Sequence, residues 1–553
     1  MTVRFPRAAA LAVSALVVAA IAVPTAGRAT VTDDSVSVLL ISIDALDPAE
    51  LDELDENGNP LAPNLVSLRD QGTWWTQARS VMASETLPNH IAMGTGTYPG
   101  TNGVPGNDGR LRVGDTALAD PDLGVPEARL STSTISAIES QCGDLRTVTD
   151  LSKEYVWRTF AGEADEDFDQ PSFNIPASGH APESATVPFL LNALDSGPID
   201  HAFVNLGDHD RAGHVDVTGA AASGPDTVTD GPRSAQRAAL SQVDSWIGTI
   251  TNQLQQSGEW DRTVLMVVSD HSMNFTLTPD PRWNIDVAAT LEQVETDNAL
   301  LPGTVFLFSD NGGAGFVYLI DPAMDGGDAL LTEAYDAIAA MAGVEDTLYR
   351  LPNTDDPDGR VLGEIHPDWH LDGTDRVGEI LVLAEERYRM GSESDNPLPG
   401  NHGHTSTRHI TALITGGWDG IVSGAVVAAS NPDAVNEADD TAALPEQAEQ
   451  VDWAPTVGWL LGVTDPGLDA GGDAQWEGRV LDEAFSRRPG TLACAAAVAR
   501  TDNGSNDGAA DDAGAPVVDS TGGSLAGTGG GAVLVGLIAL AGAGSLRRRS
   551  RRR

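Results

Sequence analysis

The sequence predicts an α/β domain in three layers, with helices on both faces of a largely parallel central sheet. Three observations predict it. From about residue 29 to residue 499, apolar runs alternate with amphipathic segments, the rhythm of α/β domains. Several runs are continuous and β-branched, without the alternation of a half-exposed strand, so both faces must be covered. A length of 553 residues suits two or three ordinary domains or one large α/β enzyme with insertions.

The strands read in order as "SVSVLLISID" (Ser35 to Asp44), "HAFVNLG" (His201 to Gly207), "TVLMVVSD" (Thr263 to Asp270), "GFVYLID" (Gly315 to Asp321), "EILVLAE" (Glu379 to Glu385) and "HITALITG" (His409 to Gly416). Between them, Leu240, Val243, Trp246, Ile247, Ile250 and Leu254 recur at helical spacing and form a core-facing stripe. The loop-rich segment 274–398 carries strands of its own and is expected to form an insertion near the site. No internal repeat is visible.

The ends carry addresses. Arg4 and Arg7 precede the apolar run Ala8 to Val23, and small residues at Gly27 and Ala29 complete the pattern of a signal peptide spanning 1–29. Residues 501–524 form an acidic Gly, Ala, Asp and Asn tract with too little apolar surface to fold, and read as a solvated stalk. Residues 525–553 string together "LAGTG", an apolar stretch and an arginine cluster. That order resembles the sorting signals of Gram-positive surface proteins, which implies cleavage by a sortase between Thr528 and Gly529 and linkage to cell-wall peptidoglycan. A single transmembrane anchor is the alternative. Either way, the domain 30–500 is expected to face outward.

Acidic residues outnumber basic ones 81 to 32, for a formal charge of −49, and the only lysine is Lys153. Such a surface repels nucleic acid, so no nucleic-acid-binding groove is expected. Two cysteines, Cys142 and Cys494, suit an exported protein, and a disulfide between them would tie the end of the domain to its body.

In open α/β sheets, ligands collect beyond the carboxyl ends of strands. The first strand ends in Asp44; the second runs into "NLGDHDRAGHVD", with Asp208, His209, Asp210 and His214; the third ends in Asp270 and His271. Later, "LPGNHGHTS" adds His402 and His404 among glycines. Mixed carboxylate and imidazole sets suit zinc or a similar borderline ion, and not calcium, which takes oxygen ligands. Two such ions clamp the attacking and leaving oxygens of a displacement at phosphorus. The stretch "ASETLPNHIAMGTGTYPG" (Ala83 to Gly100) supplies a nucleophile: Thr86 opens a helix near Pro88, where free N–H groups favour an anion. Asn89, one turn on, is placed to donate to a phosphoryl oxygen.

"ETLPNH", "DRAGH", "SDHSM" and "GNHGH", in that order after a strand ending "SID", resemble the alkaline phosphatase superfamily, and most closely its nucleotide pyrophosphatase/phosphodiesterase branch. The resemblance spans Ser35 to Thr405. It implies an alkaline-phosphatase-like α/β/α sandwich and two zinc ions, one held by Asp44, Thr86, Asp270 and His271, the other by Asp210, His214 and His402. It also implies a phospho-threonine intermediate at Thr86, with Asn89 binding the phosphoryl group of a small phosphate ester such as a nucleotide.

The chain departs from that pattern at Ser272, where glycine is usual, and at His404 and Thr405, where tyrosine and aspartate are common. Asp208 and His209 are extra groups near the second set; the Asp-x-x-Gly-His spacing selects Asp210. Ser84 is a rival hydroxyl two residues before Thr86, His90 reads as buried against the sheet, and Glu85 stands where many relatives carry a basic residue. A phosphomonoesterase or phosphonate hydrolase of the same superfamily is the alternative reading, and a surface-binding protein that lost the reaction is another.

Overall fold

The computed structural model describes residues 34–107, 111–113, 117–119, 129–168, 180–215, 234–275, 284–386, 388–391, 400–429, 445–469 and 472–497. The expected signal peptide, stalk and sorting signal lie outside these residues. Among the described residues no helix is long and apolar enough to cross a membrane.

The central strands are β1 (Ser37–Ile43), β2 (Thr73–Trp75), β3 (Thr147–Leu151), β4 (Glu166–Asp167), β5 (His201–Leu206) and β6 (Thr263–Val268). Strands β7 (Phe306–Asn311), β8 (Ala314–Leu319), β9 (Val344–Tyr349) and β10 (Ile380–Ala384) build a second sheet, before β11 (Ala412–Gly416) and β12 (Ala425–Val427) return to the first. The eight-stranded central sheet has the order β12-β2-β11-β6-β1-β5-β3-β4. Strand β1 pairs in parallel with β5 on one side and β6 on the other. Only β11 runs against its neighbours, which turns "HITALITG" into an antiparallel member of the sheet.

Every residue of β1 is buried, as its unbroken apolar run requires. Val38 and Leu40 face one layer, with α2 (Thr86–Thr95), α3 (Thr134–Cys142), α4 (Glu154–Phe160) and, late in the chain, helix Trp453–Leu461. Leu39, Ile41 and Ile43 face the other, with α1 (Pro63–Gln71), α5 (Glu183–Ser196) and α7 (Ser234–Ser257), whose predicted stripe is buried except for the half-exposed Trp246. Helix α6 (Asp208–Val215) follows β5 directly. The α/β/α sandwich with a mostly parallel sheet is therefore the observed fold.

"GFVYLID" and "EILVLAE" belong to the second sheet, which is antiparallel and ordered β7-β8-β10-β9. Apolar content identifies a strand but carries no record of its partner's direction. Cys142 and Cys494 are joined by a disulfide with a Cα–Cα distance of 4.7 Å.

Candidate active site

Three adjacent central strands, β6, β1 and β5, bring the predicted groups to one end of the sheet. Asp44 follows β1 and is fully buried, its N–H donating to the Leu206 carbonyl at 2.9 Å. Ala45 turns into a left-handed conformation (φ 63°), which aims its N–H at Asp270 Oδ1, 3.0 Å away. The His271 N–H meets the same oxygen at 3.0 Å. One oxygen of Asp270 is thus held by backbone while Oδ2 is left facing inward. Asp44, Asp270 and His271 form a cluster whose ligating atoms lie within 4.8 Å of one another.

Helix α6 supplies a second cluster. Asp210 and His214 lie one turn apart on one face, and His402 joins them with the same 4.8 Å closeness. His402 arrives on a loop whose glycines are steric necessities: Gly403 has φ of 88°, and a Cβ there would fall 2.0 Å from the Asn311 carbonyl oxygen. Gly312, in the β7–β8 turn, has φ of 67°, and its Cβ would fall 2.3 Å from the His402 carbonyl oxygen. The inserted sheet therefore buttresses the loop that carries His402.

The imidazoles are oriented by what their other nitrogens do. His271 Nδ1–H donates to the Ser272 carbonyl at 3.0 Å and His214 Nδ1–H to the Gly400 carbonyl at 2.8 Å, which turns each Nε2 toward the carboxylates. Burial holds His271 and His402 below the usual histidine range, so both are neutral, the state in which imidazole ligates. Burial and the neighbouring Asp44 push Asp270 up. For Asp210, burial opposes ionisation, yet His214 and Lys153 outweigh it and hold the carboxyl well below its usual range. Three buried carboxylate oxygens, Asp44 Oδ1, Asp210 Oδ1 and Asp270 Oδ2, have no hydrogen-bond partner. Inward-facing acceptors without donors are what a divalent cation would satisfy, so the donor set fits a two-metal centre.

Thr86, fully buried at the start of α2, places Oγ1 3.2 Å from His271 Nε2. Its rival is occupied elsewhere: Ser84 Oγ donates to the Thr407 carbonyl at 2.8 Å and lies 2.8 Å from Ser80 Oγ. His90, as read from the sequence, is buried; its Nδ1 lies 2.8 Å from the Thr86 carbonyl oxygen and burial holds its pKa at about 4. Asp208 pairs with His180 at 2.6 Å and His209 with Glu50 at 3.2 Å, outside both clusters. His404 Nε2 lies 3.4 Å from Glu345, and its Nδ1 faces Ser406.

The expected phosphoryl contact of Asn89 needs correction. Its Oδ1 accepts the Val81 N–H at 2.7 Å, and its Nδ2 donates to the carbonyls of Glu85 at 2.7 Å and Ala83 at 3.3 Å. The side chain is spent on tying down the loop that leads into α2. Asn107, which the sequence reading did not single out, approaches instead: its Oδ1 accepts the Leu87 N–H at 2.7 Å, and its own N–H donates to Glu85 Oε2 at 2.7 Å. The stretch "GVPGN" that delivers it reads in sequence only as a turn. Lys153 was likewise visible only as a compositional oddity. Its Nζ lies 2.5 Å from Asp210 Oδ2 and 3.4 Å from Asp44 Oδ2, bridging the two clusters.

Residues 38–409 match the family model described as type I phosphodiesterase / nucleotide pyrophosphatase. The curated bis(5'-adenosyl)-triphosphatase enpp4 of Xenopus laevis is 20% identical over 361 residues, 63% of this chain and 65% of that protein. The chain thus spans just under two thirds of the length of that relative. Among solved structures, human ectonucleotide pyrophosphatase/phosphodiesterase 5 superposes with a TM-score of 0.57 at 15% identity, covering 82% of this chain and all of that one. The murine protein gives 0.54 at 17% identity, covering 77% and 95%, and an inactive murine variant in complex with AMP gives 0.56 at 16%, covering 82% and all of that chain. With two thirds of its length matched and the sandwich in place, this chain belongs to the type I phosphodiesterase/nucleotide pyrophosphatase family, hydrolases of phosphoric ester and anhydride bonds.

Proposed function

We propose that this protein is an exported, two-zinc phosphohydrolase that cleaves phosphodiester or pyrophosphate bonds, as in extracellular nucleotides, through a phosphorylated Thr86. The observation that carries the reading is the Thr86 hydroxyl, buried at a helix start 3.2 Å from His271 Nε2 and beside the unpartnered Asp44 Oδ1 and Asp270 Oδ2. Asp44, Thr86, Asp270 and His271 would hold one ion and Asp210, His214 and His402 the other. Bound there, the pair supplies Lewis-acid charge that lowers the hydroxyl's pKa and offsets charge on the phosphoryl oxygens.

The residues do the rest. Thr86 Oγ forms a bond to phosphorus as the opposite P–O bond breaks, the Thr86 proton passing to solvent and the leaving oxygen taking a proton from water. Water then cleaves the threonine ester, releasing phosphate or a phosphate monoester and restoring the hydroxyl. Asn107, its amide plane fixed by the Leu87 N–H, takes the phosphoryl-oxygen role first expected of Asn89. The murine relative solved with AMP supports a nucleotide as substrate.

The outward location rests on the two ends: a signal peptide over 1–29 and a sortase signal at 525–553 that would leave the protein on peptidoglycan. Fractionating cells that express Thr528→Ala checks this; release from the wall fraction is expected, and unchanged wall linkage refutes it. The catalytic reading is tested by zinc content and hydrolysis of a bis-aryl phosphodiester. Thr86→Ala should keep at least the Asp210 site loaded and lose about a thousandfold or more of kcat. Full turnover by that variant, or no turnover by fully loaded wild type, would overturn it.

A further inference from the structure

The one lysine in 553 residues sits at the centre of the site. Lys153 is 8% exposed, on the loop between β3 and α4. Its backbone N–H reaches Asn205 Oδ1 at 3.4 Å, the neighbouring Ser152 Oγ donates to the same oxygen at 2.7 Å, and Asn205 Nδ2 donates to Asp44 Oδ2 at 3.3 Å. The ammonium is thus held against both clusters by a built network. Burying a charge costs several kcal/mol unless partners offset it. Here Asp210 and Asp44 offset it.

Those partners are also the carboxylates that would face the two metals. Three carboxylates, Asp44, Asp210 and Asp270, set against two divalent cations leave a single positive charge, matched to the single negative charge of a phosphodiester. Lys153 raises that to two. A terminal phosphoryl group, in a phosphomonoester or at the end of a pyrophosphate, carries two negative charges and a third free oxygen, where an internal phosphodiester carries a substituent.

We propose that Lys153 is a specificity-determining, phosphoryl-binding residue that gives this enzyme a preference for terminal, dianionic phosphoryl groups over internal phosphodiesters. The inference rests on the phosphohydrolase reading above and names its substrate class. Transfer would form the Thr86 Oγ–P bond and break the terminal P–O bond, the leaving oxygen taking a proton from water, and hydrolysis would release inorganic phosphate.

The test compares wild type with Lys153→Met and Lys153→Arg, all zinc-loaded. Lys153→Met should lower the ratio of kcat/KM for an aryl phosphomonoester over that for a bis-aryl phosphodiester at least tenfold, weaken inorganic phosphate binding by calorimetry at least tenfold, and be partly rescued in Lys153→Arg. An unchanged ratio and unchanged phosphate affinity overturn the proposal. Should Lys153→Met fail to fold, wild type carrying isotope-labelled lysine gives one side-chain ammonium resonance. A shift with inorganic phosphate that dimethyl phosphate does not produce supports the proposal; equal shifts, or none, overturn it. Wild type inert toward both esters would refute the hydrolase reading, while phosphate binding and the lysine resonance would still judge Lys153.

Discussion

The imidazoles of His271 and His402 stack with ring centroids 4.0 Å apart, one from each carboxylate–imidazole cluster. His214 in turn packs edge-on against His402 at 5.0 Å. The two clusters therefore share a wall, and a change in one ring is felt by the other.

His402→Ala should accordingly do more than remove one ligand. Bound zinc is expected to fall by about one equivalent, with the remaining ion held some 10–100-fold more weakly, because an orienting neighbour is gone. Metal titration with a competing chelator measures both; an unaltered second affinity would show the clusters to be independent.

The two asparagines should separate cleanly. Asn89→Ala leaves the buried Val81 N–H without its acceptor and should cost about 1–3 kcal/mol of stability. Asn107→Ala also strips the Leu87 N–H of its acceptor, so turnover is what separates the two: kcat should drop about 10²–10³-fold in Asn107→Ala, the usual effect of losing one donor to developing charge, and stay near wild type in Asn89→Ala. The opposite pattern would return the phosphoryl contact to Asn89.

A pH dependence follows from Asp150, a fully buried carboxyl on β3 whose oxygens have no hydrogen-bond partner and whose pKa burial pushes up to about 8. Unfolded, the group titrates at about 3.9, so between these values the native state binds the extra proton and stability falls as pH rises. In urea melts, wild type should lose at least about 2 kcal/mol more than Asp150→Asn on going from pH 5 to pH 8.5. Parallel losses would mean that the carboxyl is not held protonated.

Cys142→Ser should lower stability by about 2–5 kcal/mol, since the bond closes a loop across a separation of 352 residues. Thermal melts with and without reductant check it; a reductant-insensitive midpoint in wild type would argue against the pairing.

Much of this site was legible in the letters, and the reason is physical. Strand-end positions are set by apolar runs, so Asp44, Asp270 and His271 could be placed at one end of the sheet before any coordinates. Asp210 and His214 were picked out by the Asp-x-x-Gly-His spacing of the family resemblance, not by any reading of a helix. Asn107 was not legible, because its role depends on a turn folding back onto Leu87, and nothing in "GVPGN" states that long-range contact. Asn89 misled for the converse reason: its position beside Thr86 in sequence is correct, but helix geometry spends its amide on the preceding loop. Lys153 was conspicuous as the only one of its kind, yet its link to two carboxylates requires β3 to lie beside β5, an adjacency that composition does not encode. Strand direction was equally hidden, as β11 shows.

The bond between Cys142 and Cys494 encloses Asp210, His214, Asp270, His271 and His402 within one covalent ring, with Asp44 and Thr86 outside it. A protease that nicks any exposed turn between those cysteines opens the ring without shedding a fragment. A single cut would thus leave all seven groups in one molecule, and only reduction after cleavage would part them.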